Sequence, residues 1–316
     1  MRVQVRDAYG NGISNATVGF SVTAGGGSIS PATVATDGEG KAAAQFRTGA
    51  AGGENVATAT ISGLPPVMFS VTAVAPPRTR TTADRPDEVS GNQVHIMYVL
   101  PSDGVDRSLD LNQAIVNSVS SFQNWLAGQT GGRELRIDTF DGSVDVTFFR
   151  LPRSDAQMIS YGAFVRDTIE KEAALAGFAT ATKIYAVYYD GGSTRSCGGG
   201  AWPPALPGRV AAMYLQGTPP GAPACNTNSL PSSPTAAPGY LDFAMLHEIM
   251  HTMGFVASNA PNHTLSGHVA GDPRDLMYAG SLPWAPSILD VGKDDYFGPN
   301  VPAGVLNLQN SLFLKP

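Results

Sequence analysis

The chain has 316 residues, of which 42% are hydrophobic and 15% charged, with 36 glycines and 24 prolines. This length suits two domains better than one, and the composition is typical of a folded, loop-rich protein. The formal net charge of −6, without any run of lysine and arginine, argues against nucleic acid as a partner. No apolar stretch approaches the roughly 20 residues that a membrane-spanning helix requires.

The first 75 residues contain short segments in which apolar and polar residues alternate, as in strands with one buried face. The apolar positions are Val3 and Val5, then Val18, Phe20 and Val22, then Val67, Phe69 and Val71. Glycine, asparagine and aspartate residues separate these segments and predict turns. Residues 1–75 are therefore predicted to form an all-β sandwich domain.

Two stretches of this segment, DAYGNGISNATVGFSVTAGGGSI and ATDGEGKAAAQFRTG, resemble the bacterial Ig-like domains of the invasin and intimin type. In those domains a strand ending in D-x-x-G-N precedes a V-x-F strand and a T-D-x-x-G-x-A hairpin. The resemblance implies an Ig-like sandwich that contacts a cell surface or a matrix protein. Such domains begin with one more strand than this segment shows, so the resemblance also implies a truncated start.

The stretch 76–93 is polar, contains prolines and lacks apolar periodicity, which predicts a linker. A second domain is then expected over residues 94–316. Its predicted elements are a buried strand at VHIMYVL, an amphipathic helix over 111–126, strands in ELRIDTF and DVTFFRL, a helix in GAFVRDTIEKEAALAG, strands in KIYAVYYD and RVAAMYL, and a helix in YLDFAMLHEIMHTMGF. Because strands and helices interleave, an α+β domain is expected.

Two cysteines, Cys197 and Cys225, lie in a Gly/Pro-rich stretch before the last of these helices. A disulfide that closes this predicted loop of about 28 residues would contribute on the order of 3 kcal/mol and would persist in an oxidising compartment. The alternative is two unpaired thiols in a cytosolic protein. The N-terminal residues lack the basic and then apolar pattern of a secretory signal, so an export signal, if there is one, is not part of this chain.

The last predicted helix contains the segment His247-Glu248-Ile249-Met250-His251. Two histidines four residues apart lie on one helix face, where both rings can hold one zinc ion. Glu248 follows the first histidine and is the predicted general base. Chance predicts roughly 0.002 such motifs per chain of this composition. The alternative is a pair of helix-face histidines that form hydrogen bonds in the core.

A catalytic zinc needs a third protein ligand. No glutamate follows Glu248, which excludes the class of zinc peptidases with a downstream glutamate ligand. Gly254 lies three residues after His251, and Met277 lies in a later polar turn, DPRDLMY. This arrangement resembles the metzincin metallopeptidases, whose motif is followed by a methionine-containing turn. The resemblance implies a zincin fold with a mixed sheet and an active-site helix, zinc-dependent peptide hydrolysis, and a structural role for Met277.

The third ligand is harder to assign, because Ala257 stands where that family places it, six residues after His251. Four of the five histidines nevertheless fall between positions 247 and 268. His268 is the preferred ligand, since it precedes the methionine turn in Gly-His-Val; His263 is the second choice and Asp272 the third. Without any of them, a two-histidine site of lower zinc affinity would remain.

Two residues beside Met277 are also candidates. Tyr278 is predicted to stabilise the oxyanion of the reaction, as a tyrosine near the methionine turn does in some relatives. The alternative is a packed aromatic ring with a hydrated hydroxyl. Asp275 is expected to bind the backbone of the turn.

Other polar residues receive structural predictions. His95 opens a strand far from the histidine cluster and is predicted to be structural. Three aspartates follow the turn and could suggest calcium, but they lack the spacing of a known oxygen-ligand loop, so a solvated face is predicted for Asp290, Asp294 and Asp295.

The sequence thus predicts a zinc endopeptidase that is secreted or held at the bacterial cell surface, acts on a protein or peptide substrate and carries an Ig-like domain. One alternative is an adhesin-like binding protein in which the zincin part is degenerate. Another is a structural zinc site without turnover, which would need His263 and His268 to bind together.

Overall fold

The computed structural model describes residues 1–25, 27–49, 53–73 and 79–315. The chain divides into two compact units. The first comprises Met1–Arg78 and Ser233–Thr235, and the second comprises Thr79–Ser232 and Ala236–Pro316.

Residues 79–93, which the sequence places in the linker, belong to the second unit. Their charged side chains form ion pairs within that unit: Arg80 pairs with Asp110 at 2.7 Å, and Arg85 pairs with Asp145 at 2.5 Å. A polar composition is compatible both with a solvated linker and with a segment held by ion pairs. The local sequence does not distinguish them, because the partners lie 30 and 60 residues away. Residues 74–78 lie outside the described part of the chain.

The first unit is built from antiparallel strands, as predicted. They are β1 (Arg2–Gln4), β2 (Thr17–Ala24), β3 (Ser28–Ser30), β4 (Thr33–Ala35), β5 (Lys41–Ala43), β6 (Gln45–Arg47), β7 (Gly53–Thr60) and β8 (Val67–Ala73). Strands β4-β2-β7-β8 form one sheet, while β1 pairs with β5 and β3 with β6. The predicted alternation is present in β2, where Val18 and Phe20 are buried in the core of this unit.

The second unit contains four helices and eleven strands among the described residues. The helices are α1 (Ala114–Thr130), α2 (Asp155–Ser160), α3 (Val165–Leu175) and α4 (Tyr240–Thr252). The strands are β9 (Gln93–Leu100), β10 (Glu134–Leu135), β11 (Thr139–Phe140), β12 (Ser143–Val144), β13 (Val146–Arg150), β14 (Lys183–Tyr189), β15 (Gly198–Trp202), β16 (Leu206–Tyr214), β17 (His263–Thr264), β18 (His268–Val269) and β19 (Leu314–Lys315).

The central sheet of this unit has the order β13-β9-β14-β16-β15. Its first four strands are parallel, and β15 pairs antiparallel with β16 at the edge, so the sheet is mixed. Strand β9 is buried along its whole length, as its continuous apolar sequence predicts. Its alternate residues belong to two hydrophobic clusters: Ile96 packs in the cluster that includes residues of α1 and α4, and Met97 in the cluster that includes residues of α3.

The Gly/Pro-rich stretch between the cysteines is not a loop throughout. It contains β15, with the sequence GGGAW, and β16, the strand predicted at RVAAMYL. The sequence did not predict β15, because glycine is depleted in strands. The predicted disulfide between Cys197 and Cys225 is confirmed. None of the helices in the described ranges combines the length and the hydropathy needed to cross a bilayer.

Candidate metal centre

Helix α4 carries the candidate ligands and is held at both ends. At its start, the backbone N–H of Gly239 donates to the carboxylate of Asp242 at 2.8 Å, which satisfies one of the free donors of the first turn. After its end, Gly254 has φ +96°, a conformation that glycine adopts without strain. The chain reversal there places the carbonyl of Phe255 against the ring of His251, at 3.0 Å from Nδ1.

Three imidazole rings meet at the site. The Nε2 atom of His268 lies 3.3 Å from Nε2 of His247 and 3.0 Å from Nε2 of His251. His268 comes from β18, whereas the other two come from consecutive turns of α4. The structure thus brings together the two helix histidines and the preferred third candidate.

The opposite nitrogen of each ring faces a backbone carbonyl oxygen. The Nδ1 atom of His247 lies 2.7 Å from the carbonyl oxygen of Leu276. The Nδ1 atom of His251 lies 3.0 Å from that of Phe255, and the Nδ1 atom of His268 lies 3.2 Å from that of Leu265. A carbonyl only accepts, so every Nδ1 carries the proton and every Nε2 presents a lone pair. Three lone pairs therefore converge without a proton between them.

This donor set fits zinc. Neutral imidazole is a preferred zinc ligand, and two nitrogens bound at about 2.05 Å with a tetrahedral angle are about 3.3 Å apart, close to the observed spacings. Burial lowers the pKa of His247 to about 3 and that of His251 well below its usual value. Burial also lowers the pKa of His268. All three rings are therefore neutral near pH 7, as metal binding requires.

Glu248 is half-buried beside the edge strand β15. Its carboxylate receives the backbone N–H of Gly200, and its burial raises its pKa to about 8. A cation on the neighbouring histidines would lower that pKa again. A Cβ atom on Gly198 would lie 2.5 Å from the Glu248 carboxylate, and one on Gly200 would lie 2.6 Å from the backbone oxygen of the same residue. Glycine in β15 is what allows the helix to approach the strand so closely.

The other two candidate ligands lie elsewhere. The ring of His263 stacks on Trp202 with a centroid distance of 5.5 Å. Asp272 pairs with Arg274 at 2.6 Å in an exposed turn. Among the described residues, the group around α4 that could hold a metal ion consists of His247, His251 and His268.

The methionine turn supports His247 through its backbone. Leu276 provides the carbonyl that accepts from His247, and the next residue, Met277, is fully buried in the same hydrophobic cluster. Asp275 accepts the backbone N–H of Met277 at 2.8 Å, as expected from the sequence. The hydroxyl of Tyr278 accepts the N–H of Leu282 at 2.8 Å, and no hydrogen bond or ring contact joins it to the three histidines in the described structure.

Several residues at the site carry no recognisable motif. Trp284 packs its ring edge-on against His247 at a centroid distance of 5.6 Å and donates its indole N–H to the carbonyl of Asp275 at 3.2 Å. The carbonyls of Leu265 and Phe255 also escaped prediction, because any residue supplies one. Only the Gly-Gly-Gly run of β15 could have indicated this part of the site from the sequence, since glycines in a strand often mark the close approach of another backbone.

Two groups of polar residues outside the site were also given predictions from the sequence. His95 lies outside the three-histidine site and is buried between Asp138 at 2.7 Å and Thr147 at 2.9 Å. The predicted solvated face at Asp290, Asp294 and Asp295 is wrong, because Asp290 and Asp295 are each only 1% exposed. Their backbone neighbours fold over them in a loop that the charge pattern does not reveal.

Comparison with known proteins identifies the N-terminal segment. Residues 1–74 match the family described as bacterial Ig-like domain (group 1). A search of curated proteins finds no match.

Solved structures give further similarities. The D00-D0 domain of intimin is 24% identical over 21% of this chain and 33% of that chain, with a TM-score of 0.20. A C-terminal 282-residue fragment of intimin, in complex with the intimin-binding domain of its translocated receptor, is 28% identical over 24% and 23% of the two chains, with a TM-score of 0.18. This chain therefore spans a third or less of the length of these fragments.

Another solved structure covers a larger share of this chain. Archaemetzincin from Methanopyrus kandleri is 14% identical over 59% of this chain and 82% of that chain, with a TM-score of 0.33. The chain thus consists of a bacterial Ig-like domain at its N-terminus and a larger α/β part that contains the three-histidine site.

Proposed function

We propose that this protein is a zinc-dependent endopeptidase. The observation that carries the proposal is the convergence of three unprotonated Nε2 atoms next to a half-buried carboxylate. His247, His251 and His268 supply the nitrogens, and Glu248 supplies the carboxylate. A glutamate at this position has no role in holding a zinc ion that three neutral histidines already bind, whereas hydrolysis requires a base here.

Zinc, when bound, supplies Lewis-acid activation of a water and of a carbonyl group. The carbonyls of Leu276, Phe255 and Leu265 orient the three histidines and keep their lone pairs directed at one point. Glu248 takes a proton from the attacking water and passes it to the leaving amine nitrogen. The N–H of Gly200 orients its carboxylate for both transfers.

The position of β15 supports a peptide as substrate. This strand lies at the edge of the central sheet, and its Gly198 approaches the carboxylate of Glu248. An extended peptide can add to a sheet edge through main-chain hydrogen bonds, whatever its side chains are. A peptide bound there would pass next to the proposed general base.

A closed structural zinc site is the weaker alternative. It needs four protein ligands, and a second loop histidine would have to join His268. His263 instead stacks on Trp202. Three ligands leave one coordination position for water, which favours catalysis.

A place outside the cell is part of the same proposal. The Cys197–Cys225 disulfide suits an oxidising compartment, and the N-terminal family occurs as bacterial Ig-like domains. We infer that the Ig-like domain contacts a cell surface or a matrix protein and so places the peptidase near its substrate. Binding of the full chain to whole bacteria or matrix proteins, with and without the Ig-like domain, tests this part.

The test of catalysis is a Glu248→Gln variant of the zinc-loaded full chain. Glutamine preserves the shape of the side chain but accepts no proton, so cleavage should fall at least about 10³-fold while one zinc per chain remains bound. New N-termini in a mixture of denatured proteins, counted by mass spectrometry, measure cleavage. The control is Glu39→Gln, which changes an exposed glutamate of the first unit. Cleavage by Glu248→Gln at the wild-type rate would refute the proposal.

A further inference from the structure

A second acidic cluster lies outside the histidine site, in the loop that follows the methionine turn. Asp290, Asp294 and Asp295 each offer a carboxylate oxygen within 4.8 Å of the others. Asp290 and Asp295 are almost completely buried. Removing several carboxylates from water at such short separations is very unfavourable unless a positive charge compensates them.

The described residues supply no such charge. The ion pairs formed by the described residues include none to these three aspartates, although Lys293 lies in the same loop. The buried carboxylate of Asp138 differs, because Lys183 pairs with it at 2.7 Å. Burial raises the pKa of Asp290 to about 6, although the backbone hydrogen bonds from Tyr296 and Phe297 act in the opposite direction.

Two oxygens of the cluster are buried and have no hydrogen-bond partner among the described residues. One oxygen of Asp290 accepts three backbone N–H groups, those of Asp295, Tyr296 and Phe297. The other oxygen, Oδ1, receives none, and Oδ1 of Asp294 also receives none. Buried polar atoms are nearly always paired, so two orphaned anionic oxygens in one cluster point to a cation as their partner.

We propose that Asp290, Asp294 and Asp295 bind a calcium ion. The donors are all oxygen and all anionic, which suits a hard cation and not the nitrogen-preferring ion of the histidine site. They lie in an irregular loop, and calcium accepts irregular arrangements of six to eight oxygens that include backbone carbonyls and water. Magnesium demands a near-octahedral arrangement and is less suitable.

Hydrogen bonds connect this cluster to both parts of the chain that build the histidine site. The N–H of Val291 donates to Asp275 at 2.8 Å, and the hydroxyl of Tyr296 donates to the same carboxylate at 3.0 Å. Asp275 in turn holds the methionine turn. On the other side, Asp295 accepts the backbone N–H of Asn262 at 2.7 Å, in the segment that leads to the β17–β18 hairpin and His268.

Calcium would therefore order the loop on which the methionine turn and the histidine hairpin both rest. The ion is a structural part of the protein and takes no part in the chemistry. Its binding can be measured without any peptidase assay, so a failure of this proposal and a failure of the proposed hydrolysis are distinguishable.

The experiment is a calcium titration of the zinc-loaded full chain by isothermal calorimetry, in buffer freed of calcium over a chelating resin. One calcium per chain is expected, with a dissociation constant between about 10⁻⁵ and 10⁻³ M, typical of extracellular calcium sites. Calcium at about 100 times that constant should raise the midpoint of thermal unfolding by at least about 5 °C.

Variants assign the site. Asp294→Asn keeps the shape of a partly exposed side chain and should weaken calcium binding at least about tenfold, while the zinc content stays at one per chain. Asp290→Asn should have a larger effect, but its buried carboxylate also supports the loop; the Asp294 variant and the wild-type titration remain decisive if it does not fold. The matched control, Asp141→Asn, removes an exposed carboxylate and should leave the calcium affinity unchanged.

Two results would overturn the proposal. The first is an absence of both binding heat and thermal shift in the wild-type protein up to about 10 mM calcium. The second is calcium binding that Asp294→Asn and Asp290→Asn leave unchanged, since the ion would then bind elsewhere.

Discussion

At the scale of single residues, backbone carbonyls determine the protonation of the histidine site. Each Nδ1–H donates to a carbonyl of a different turn, so the Nε2 lone pairs are directed inwards before any ion arrives. This preorganisation reduces the conformational entropy that metal binding must overcome. It also makes the third ligand dependent on the hairpin that positions His268.

Replacement of His268 distinguishes the two loop histidines. His268→Ala should reduce zinc affinity at least about 100-fold, because two histidines then remain for the ion. His263→Phe should leave the affinity unchanged, because phenylalanine preserves the stack on Trp202. Competition with a chromophoric chelator measures both affinities. The reverse order of the two effects would transfer the ligand role to His263.

Asp242 gives the stability a specific pH dependence. It is fully buried and accepts hydrogen bonds from Gly239 and from the hydroxyl of Ser118, yet burial raises its pKa from 3.8 to about 6. The folded state therefore holds this proton to higher pH than the unfolded state. Its contribution to the free energy of unfolding falls as the pH rises from about 4 to about 6.

Asp242→Asn should remove this dependence. Between pH 4.5 and pH 7.5 the variant should gain about 2 kcal/mol in the free energy of unfolding relative to the wild type, since asparagine has no proton to lose. Urea unfolding of both proteins at the two pH values provides the comparison. A difference that does not change with pH would show that Asp242 is ionised in the folded protein throughout this range.

At the scale of elements, the short distance between α4 and β15 places the carboxylate of Glu248 beside the edge strand of the sheet. Glycines at 198 and 200 permit the contact, and a side chain at either position would meet Glu248. The disulfide begins directly before β15, at Cys197, and connects this strand to the segment after β16. The glycines and the disulfide thus act on the same edge of the sheet.

Gly200→Ala tests this packing. Its new methyl group would lie 2.6 Å from the backbone oxygen of Glu248 and 2.9 Å from Cβ of His251, so the helix must shift. We expect the free energy of unfolding to fall by about 1 to 3 kcal/mol and zinc affinity to fall with it. Gly128→Ala, in an open part of α1, is the control and should raise stability by about 0.5 to 1 kcal/mol. Equal effects of the two alanines would argue against the close contact.

At the scale of the whole molecule, each unit has its own hydrophobic core. One cluster lies in the first unit around Val18 and Phe20, and two clusters cover the faces of the central sheet in the second. Separate cores favour separate cooperative unfolding. The three proposed zinc ligands all belong to the second unit.

Calorimetry of the full chain should therefore show two transitions. Zinc at about 1,000 times its dissociation constant should raise the midpoint of the second unit's transition by about 10 °C and leave the other unchanged. At the same zinc concentration, the histidine-to-alanine change at 268 should reduce that shift to about a third or less. A single transition that moves as a whole with zinc would show that the two units unfold together.

Much of the architecture was recognisable in the sequence. The continuous apolar run at 94–100, the apolar alternation of the first domain and the helix over 240–252 each follow from local periodicity. Strand β15 did not, because three glycines carry no apolar pattern and their function is to accommodate a helix from a distant part of the chain. Residues 79–93 did not either, because their partners lie far away in sequence.

The candidate site divides in the same way. The sequence by itself determined the spacing of His247, Glu248 and His251, since helical periodicity places residues 247 and 251 on one face. Only the tertiary structure brings His268, and not His263, to the two histidines of α4, because both stand in one short hairpin and the pairing of its strands directs their rings differently. It also decided that two of the three aspartates in this loop, Asp290 and Asp295, are buried, since burial depends on which other segments of the chain pack against them.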